Sequence, residues 1–317
     1  MLTHGRLKRL KKLTNRVVLS REGLHGGFVY HGLLSIALAF CSFAHAEEPL
    51  NISFYFDSYY QYSPQAHRPD NGVGASFLEG RTFDSYHNQL SLNLVEVSLK
   101  KNIDRTSFRL DTGFGPQADA MVVNGEIDPT TGLPIASEKE PTRNITQAFI
   151  AYKPEALPRM TVTVGKFFSH IGLESFRAKD NWQYSRSYAY NYSPFWHQGL
   201  GVKYEFVPDD FSGTFYYINA SDGRASQEEN LSPSLGGTLN YSPGDKLNAN
   251  FNYLGGNEWS VPGSRRDIFE VNATYQASER FSLATNITYG SQKRALDSGA
   301  TAKWYFASIY AKYSFSE

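Results

Sequence analysis

Residues 242–254, SPGDKLNANFNYL, contain the turn and strand pattern that decide the fold. The turn-forming residues Pro243-Gly244-Asp245 come first, and apolar and amide side chains alternate after them. One parity holds Leu247, Ala249, Phe251 and Tyr253, and the other holds Asn248, Asn250 and Asn252. Because successive side chains of a β-strand point to opposite faces, this stretch predicts a strand with one apolar and one polar face, entered from a tight turn.

The same alternation recurs from residue 51 onward, with little helical periodicity. Near residue 285, for example, Phe281, Leu283 and Ile287 alternate with Asn286 and Thr288. Twelve such segments are predicted as strands: 51–62, 88–100, 105–115, 145–153, 160–167, 198–206, 211–219, 234–242, 246–254, 266–276, 281–290 and 301–315. No boundary divides them, so we predict one all-β domain over residues 47–317.

The second segment changes phase along its length. Leu90, Leu92 and Leu94 share one parity, whereas Val95 and Val97 share the other. One extra residue in a strand shifts every later side chain to the opposite face. The pattern therefore predicts a β-bulge near Leu94.

The connections between the segments alternate in length. Long connections, such as 116–144 and 168–197, alternate along the chain with short ones, such as 207–210 and 243–245. Transmembrane barrels have short periplasmic turns and long external loops, whereas β-sandwiches have Greek-key connections. We therefore predict a transmembrane, antiparallel, up-and-down β-barrel of about 12 strands, with both chain ends in the periplasm.

The N-terminus has the features of a signal peptide. Seven basic residues precede an apolar run at 32–43, and Ala44-His45-Ala46 is a small-x-small cleavage site. We predict a signal peptide at 1–46, cleaved after Ala46. Its basic region is long for a signal peptide, so translation could start at Met1 or downstream of it. Together with the predicted barrel, such a segment predicts export to the outer membrane of a Gram-negative bacterium, with outer-membrane lipid around the barrel.

Cleavage would change the charge and remove the only cysteine. Of 31 basic and 31 acidic residues, seven bases and one acid lie in residues 1–46, which leaves 24 and 30. The mature chain is therefore mildly acidic, which excludes sequence-independent binding to nucleic acid. It also contains no cysteine that could form a disulfide.

The segment 164–201, VGKFFSHIGLESFRAKDNWQYSRSYAYNYSPFWHQGLG, is the most distinctive. Together with residues 87–93, HNQLSLN, and 147–149, QAF, it resembles the β-barrel porins of the OmpL-like type. The resemblance covers residues 51–317 and implies an outer-membrane channel without identifying a solute. The chain departs from the family at its end, Tyr313-Ser314-Phe315-Ser316-Glu317, where further strands and a terminal aromatic residue are expected.

The long connection in this segment is a candidate constriction, since charges of both signs inside a pore would narrow it and set a transverse field. The alternative is an external loop whose charges face water. The candidate residues in the loop and on the polar strand faces are Lys166, His170, Glu174, Arg177, Lys179, Asp180, Arg186, Asp57, Glu96, Arg109, Asp111, Lys203 and Glu205. The aromatic residues of the same loop, from Trp182 to Trp196, could instead line a sugar track or pack the loop onto the barrel.

Other chemistry finds little support in the sequence. His170, Ser175 and Asp180 share a loop, but a Ser–His–Asp site depends on geometry and not on closeness in sequence. The histidines lack metal-ligand spacing, and no glycine-rich phosphate loop follows a strand. We therefore predict no catalytic site, no metal and no cofactor.

The sequence favours an outer-membrane porin through which small hydrophilic solutes or ions diffuse passively, with association of several copies as an open question. One alternative is a non-conducting barrel with partner-binding loops. Another is a secreted carbohydrate-binding β-sandwich, which the 15 % aromatic content would also suit.

Overall fold

A computed structural model describes residues 49–64, 78, 81–121, 123–127, 134–136, 142–219, 232–257, 263–294 and 299–315. The predicted signal peptide and its cleavage site at Ala46 lie outside these residues. No helix in the described part of the chain is long and apolar enough to cross a membrane.

The described chain forms a twelve-stranded antiparallel sheet and a separate two-stranded hairpin. The strands of the sheet are Asn51–Tyr60 (β1), Leu90–Ile103 (β2), Thr106–Phe114 (β3), Ile145–Tyr152 (β6), Met160–Phe168 (β7), Trp196–Val207 (β8), Phe211–Ile218 (β9), Ser234–Tyr241 (β10), Leu247–Asn257 (β11), Arg265–Gln276 (β12), Phe281–Gln292 (β13) and Ala302–Tyr313 (β14). The hairpin consists of Val123–Ile127 (β4) and Pro134–Ala136 (β5). Two short helices, Pro116–Ala120 (α1) and Tyr188–Asn191 (α2), and a 3-10 turn at Ala178–Asp180 lie within long connections.

Each strand of the sheet pairs with its neighbours in sequence, which confirms the predicted up-and-down order of twelve strands. The connections alternate in length as predicted. Short ones, such as 104–105 and 208–210, lie at one end of the sheet, and long ones, such as 169–195, lie at the other. Tight turns at the short end use left-handed residues, since φ is 50° at Asp104 and 64° at both Asp209 and Gly244. We call the opposite end of the sheet the long-loop end.

The predicted bulge is confirmed and lies at Asn93. Asp57 pairs with Leu94 and Ser58 pairs with Leu92, so Asn93 is the extra residue in β2. As a result Leu90 and Leu92 stay exposed on the outer face, whereas Leu94 is fully buried on the inner face.

The two faces of the sheet differ in chemistry. The outer face is apolar and exposed, with Phe54 78 % and Ile309 84 % accessible. The inner face carries Asp57, Glu96 and Glu270, which are buried. Exposing so many apolar side chains to water is unfavourable, so this outer face is suited to contact with lipid.

The sheet is not closed. β1 and β14 lie at its two edges, and the described residues make no pairing between them. The twelve antiparallel strands are thus as predicted, while the pair that would complete a barrel is not formed in this structure.

Candidate functional site

The connection of residues 169–195 between β7 and β8, here called the inner loop, lies against the inner face of the sheet. Its polar groups contact side chains or backbone of β1, β2, β3, β11 and β12. Its apolar residues Phe176 and Tyr190 are buried in one cluster with Leu94, Trp196 and the α1 residue Ala118. The loop is therefore fixed by both polar and apolar contacts inside the curve of the sheet.

Arg177 joins the inner loop to the first strands. Its Nη2 lies 2.5 Å from Glu96 Oε1 and 3.1 Å from Asp111 Oδ2. Arg109 Nε lies 2.8 Å from the same Asp111 oxygen. Burial alone lowers the pKa of Arg177, but the Glu96 and Asp111 carboxylates outweigh it and raise that pKa above its usual value. These residues form a network of two cations and two carboxylates on one wall of the interior.

Tyr184 makes a second attachment to the same wall. Its hydroxyl donates to Asp57 Oδ2 at 3.0 Å. The amide nitrogen of the bulge residue Asn93 lies 2.9 Å from Asp57 Oδ2, 3.0 Å from Gln117 Oε1 and 3.1 Å from the Tyr184 hydroxyl. Burial, and then the Asp57 charge, raise the pKa of the Tyr184 phenol, so it remains a neutral donor. The bulge thus supplies part of the site that holds the loop.

The start of the inner loop is attached to the opposite wall. The His170 Nε2 lies 2.9 Å from Tyr253 O, and its ring stacks on Tyr216 with centroids 4.3 Å apart. A Cβ on Gly236 would lie 2.8 Å from the His170 ring, so the close approach requires glycine there. Burial lowers the pKa of His170 to about 4, which keeps the ring neutral near pH 7.

A backbone contact adds to this attachment. Gly172 N donates to Glu270 Oε1 at 2.9 Å. The same oxygen accepts from Asn252 Nδ2 at 2.9 Å and from Asn272 Nδ2 at 2.8 Å. Glu270 is therefore held by amide donors, and one of them is the loop itself.

Other predicted residues have different roles. Glu174 accepts from Ser187 N at 3.0 Å, and Arg186 donates to Tyr184 O at 2.7 Å, so both hold the inner loop together internally. Lys166 is buried, with its Nζ 3.5 Å from the Trp196 ring centroid and 3.1 Å from Thr142 O.

Four of the predicted residues pair with each other away from this network. Lys179 and Asp180 pair with each other at 2.6 Å, and Lys203 and Glu205 pair on β8 at 3.1 Å. The structure thus brings together Arg177, Asp57, Glu96, Arg109 and Asp111, and it does not bring all the candidates into one site. Tyr190 and Trp196 of the loop aromatics are buried, so neither offers a free face to a sugar.

A wall of amide and hydroxyl groups on β10–β13 was missed by the sequence prediction as a site. Asn250 Nδ2 donates to Asn272 Oδ1 at 2.9 Å, and Asn240 Nδ2 donates to Asn250 Oδ1 at 2.8 Å. Thr238 donates to Asn252 at 2.7 Å. The alternating asparagines of residues 248–252 were the available signal, since one polar parity must face the interior.

The loop residues considered for nucleophilic chemistry bind separate partners. Asp180 pairs with Lys179, Ser175 N donates to Asn181 Oδ1 at 2.7 Å, and His170 contacts Tyr253 O. In the described part of the chain, no group of three or more His, Cys, Asp or Glu residues is arranged to hold a metal. What the interior can do is present charge on one wall and amides on the other, with the inner loop between them.

Comparison with known proteins identifies the family. The chain matches the family described as "Putative beta-barrel porin-2, OmpL-like" over residues 49–317. No curated protein matches the sequence. Similar solved structures include the outer membrane channel DcaP of Acinetobacter baumannii, at 10% identity and TM-score 0.47, covering 86% of this chain and 76% of that one. The trimer form of OmpT from Vibrio cholerae, at 11% identity and TM-score 0.36, covers 85% of each chain. Both TM-scores are below 0.5, and the family match alone makes the identification.

Proposed function

The chain belongs to the OmpL-like beta-barrel porin-2 family and lies in the bacterial outer membrane, and on this basis we propose that it is a passive diffusion pore for small hydrophilic solutes and ions. The proposed role is non-enzymatic. The proposed mature chain begins at Glu47, which N-terminal sequencing of the exported protein would check.

One observation supports the proposal most strongly: the inner loop is attached to both walls of the interior. Arg177 and Tyr184 bind β1–β3, while His170 and Gly172 bind β11 and β12. A loop held in this way would narrow the pore. Solutes would then move between a wall with fixed charges and a wall of amides. Charges and hydrogen-bonding groups at a narrow point determine which solutes pass.

Single-channel conductance in a planar bilayer tests the proposal. The folded protein should give steady ohmic steps, and their reversal potential in a salt gradient should report ion preference. Arg177→Gln removes the two ion pairs that join the loop to the sheet, so we expect larger and noisier steps. Arg105→Gln is the matched control, because Arg105 lies in a turn at the short end and pairs at 3.6 Å with the exposed Glu155.

If protein that retains heat-modifiable mobility shows no conductance and no solute flux into liposomes, the proposal of a pore is wrong. Conductance steps of native size from Arg177→Gln would contradict the assignment of the inner loop as the constriction of the pore. Association of several copies stays a prediction, to be measured by light scattering of the protein in detergent.

A further inference from the structure

A cavity of about 580 Å³ opens between the inner loop and the strands β12 and β14. Four aromatic side chains line it, Tyr192 and Phe195 from the loop and Trp304 and Phe306 from β14. We call it the aromatic cavity. It lies at the long-loop end, because Arg266 and Trp304 are near the beginnings of strands that follow long connections. Its volume is in the range of small-molecule sites.

The rings in this cavity are held in place by their surroundings. Tyr192 stacks on Phe306, with centroids 5.9 Å apart and an interplanar angle of 10°. Trp304 lies directly against Gly290 of the paired strand, where a Cβ would be 1.9 Å from the indole. Because Gly290 has no side chain, the indole can lie close to the wall. The cavity therefore offers flat apolar surfaces that suit a planar ring.

The charge of the cavity comes from Arg266. Its Nε donates to Gln292 Oε1 at 2.6 Å, and Gln292 is itself buried and bonded to Ser264 O at 2.7 Å. Among the described residues, none bonds the terminal nitrogens of Arg266, and none lining the cavity is acidic. The Ser193 hydroxyl is already donated to Ala189 O at 2.6 Å. A guanidinium with its two outer nitrogens available is therefore the charged group that the described lining of the cavity offers to a ligand.

The surrounding residues favour an anion as well. The described ends of β12, β13 and β14 at the long-loop end carry one acid, Asp267, and several bases, Arg265, Arg266, Lys293, Arg294 and Lys303. An excess of positive charge at an entrance raises the local concentration of anions.

From the rings and the guanidinium together, we infer that the aromatic cavity binds a small anion with a planar apolar body, such as an aromatic carboxylate, before the solute passes the inner loop. The carboxylate would accept hydrogen bonds from the Arg266 terminal nitrogens, and the ring would lie against Trp304 and Tyr192. This inference rests on the proposed pore, because it names a class of solute for it.

Calorimetric titration of the folded protein in detergent with naphthalene-2-carboxylate tests the inference. We expect saturable binding, and much weaker binding of acetate, which lacks the ring, and of 2-naphthylmethanol, which lacks the charge. Arg266→Gln should weaken naphthalene-2-carboxylate binding about 10-fold or more, as expected for the loss of a hydrogen bond to a charged group. Lys312→Gln is the control, since Lys312 is an exposed base at the opposite end of β14 that does not line the cavity, and it should bind as the native protein does.

Equal binding by Arg266→Gln, or equal binding of 2-naphthylmethanol, would overturn the inference. If Arg266→Gln does not fold, Tyr192→Ala replaces it, because Tyr192 is 71 % exposed and its loss should not impair folding. Unchanged affinity in that variant would also overturn the inference. Conductance of the same preparations separates the two proposals: conductance without binding contradicts only the cavity, and binding without conductance contradicts only the pore.

Discussion

Two adjacent glycines on β10 provide a test of how the inner loop is attached at the level of one residue. A Cβ on Gly236 would lie 2.8 Å from the His170 ring, whereas a Cβ on Gly237 would meet only Thr214 O at 3.6 Å. We expect Gly236→Ala to lower the opening free energy of the loop start by about 1 to 3 kcal/mol, as overpacking does. Hydrogen exchange of the amides in 169–175 measures this, and Gly237→Ala should leave it unchanged. Equal exchange in the two variants would show that His170 does not hold the loop.

The buried His170 makes the attachment of the loop sensitive to pH. Its folded pKa of about 4 lies below the usual 6.5 of histidine, so the unfolded chain binds more protons between these values. The stability due to the neutral ring is present above pH 6.5 and is lost as the pH falls towards 4, by up to about 3 kcal/mol. His197 is a second ionisable ring, with its centroid 5.3 Å from that of His170, so the comparison with His170→Gln isolates the effect of His170. Hydrogen exchange of the loop start at pH 7 and pH 4.5 should differ less in His170→Gln; an identical difference would contradict the prediction.

The sequence predicted which charged residues belong to the candidate site, but it did not predict which residues they bind. Arg177, Glu96 and Asp111 were all candidates, because charges on polar strand faces and in the long loop are visible in the pattern. That one guanidinium binds both carboxylates depends on how the loop returns across the sheet, which no spacing encodes. Gly236 gave no signal at all, since its importance comes from His170 in another element.

At the scale of elements, the bulge in β2 should be essential for folding. Deleting Asn93 forces either Leu90 and Leu92 inward or Glu96 and Ser98 outward, because a shift of one residue exchanges the faces. We expect the deletion variant to lack heat-modifiable mobility in detergent. Asn93→Ala keeps the residue count and loses only side-chain hydrogen bonds, so it should still fold. A folded deletion variant would mean that the register can adjust elsewhere.

The strands were predictable because each of them repeats one physical requirement, an apolar face towards lipid and a polar face inward. The helices α1 and α2 were not predicted, since each is at most five residues long and cannot be stable alone. They are formed where the long connections pack: Ala118 of α1 and Tyr190 of α2 are buried beside Leu94. Such tertiary contacts leave no periodic trace in the sequence.

For the whole molecule, the division into a lipid face and an inner face predicts unequal effects of charge. Phe251 and Asn250 are neighbours in the middle of β11, on the outer and inner faces. Phe251→Arg should destabilise the protein in phospholipid bilayers by about 2 to 4 kcal/mol, the cost of a base near the midplane. Asn250→Arg should cost much less, since the interior is polar. Urea titrations in lipid vesicles compare the two variants, and equal losses would contradict the assignment of faces.

The overall arrangement was predictable from the alternation of long and short connections, which fixes an up-and-down order without any knowledge of contacts. Two features were beyond that argument. The position of 169–195 inside the sheet is one, because a long connection can equally well extend into water. The unpaired edges of β1 and β14 are the other, since alternation within strands says nothing of how the first meets the last.

Those unpaired edges have a consequence for the order in which the protein folds. Each strand of the sheet pairs with the sheet strands that come just before and just after it in the chain, so each pairing closes only a limited stretch of chain. A pairing of β1 with β14 would close the longest stretch of chain in the domain, so its entropic cost is the largest of all the strand pairings, by about 0.6 kcal/mol for each doubling of the closed length. We therefore expect it to form last, once the other strands have aligned its partners. Until then the free edges can recruit foreign strands, so the lifetime of that intermediate, more than the stability of the finished sheet, would govern losses to aggregation.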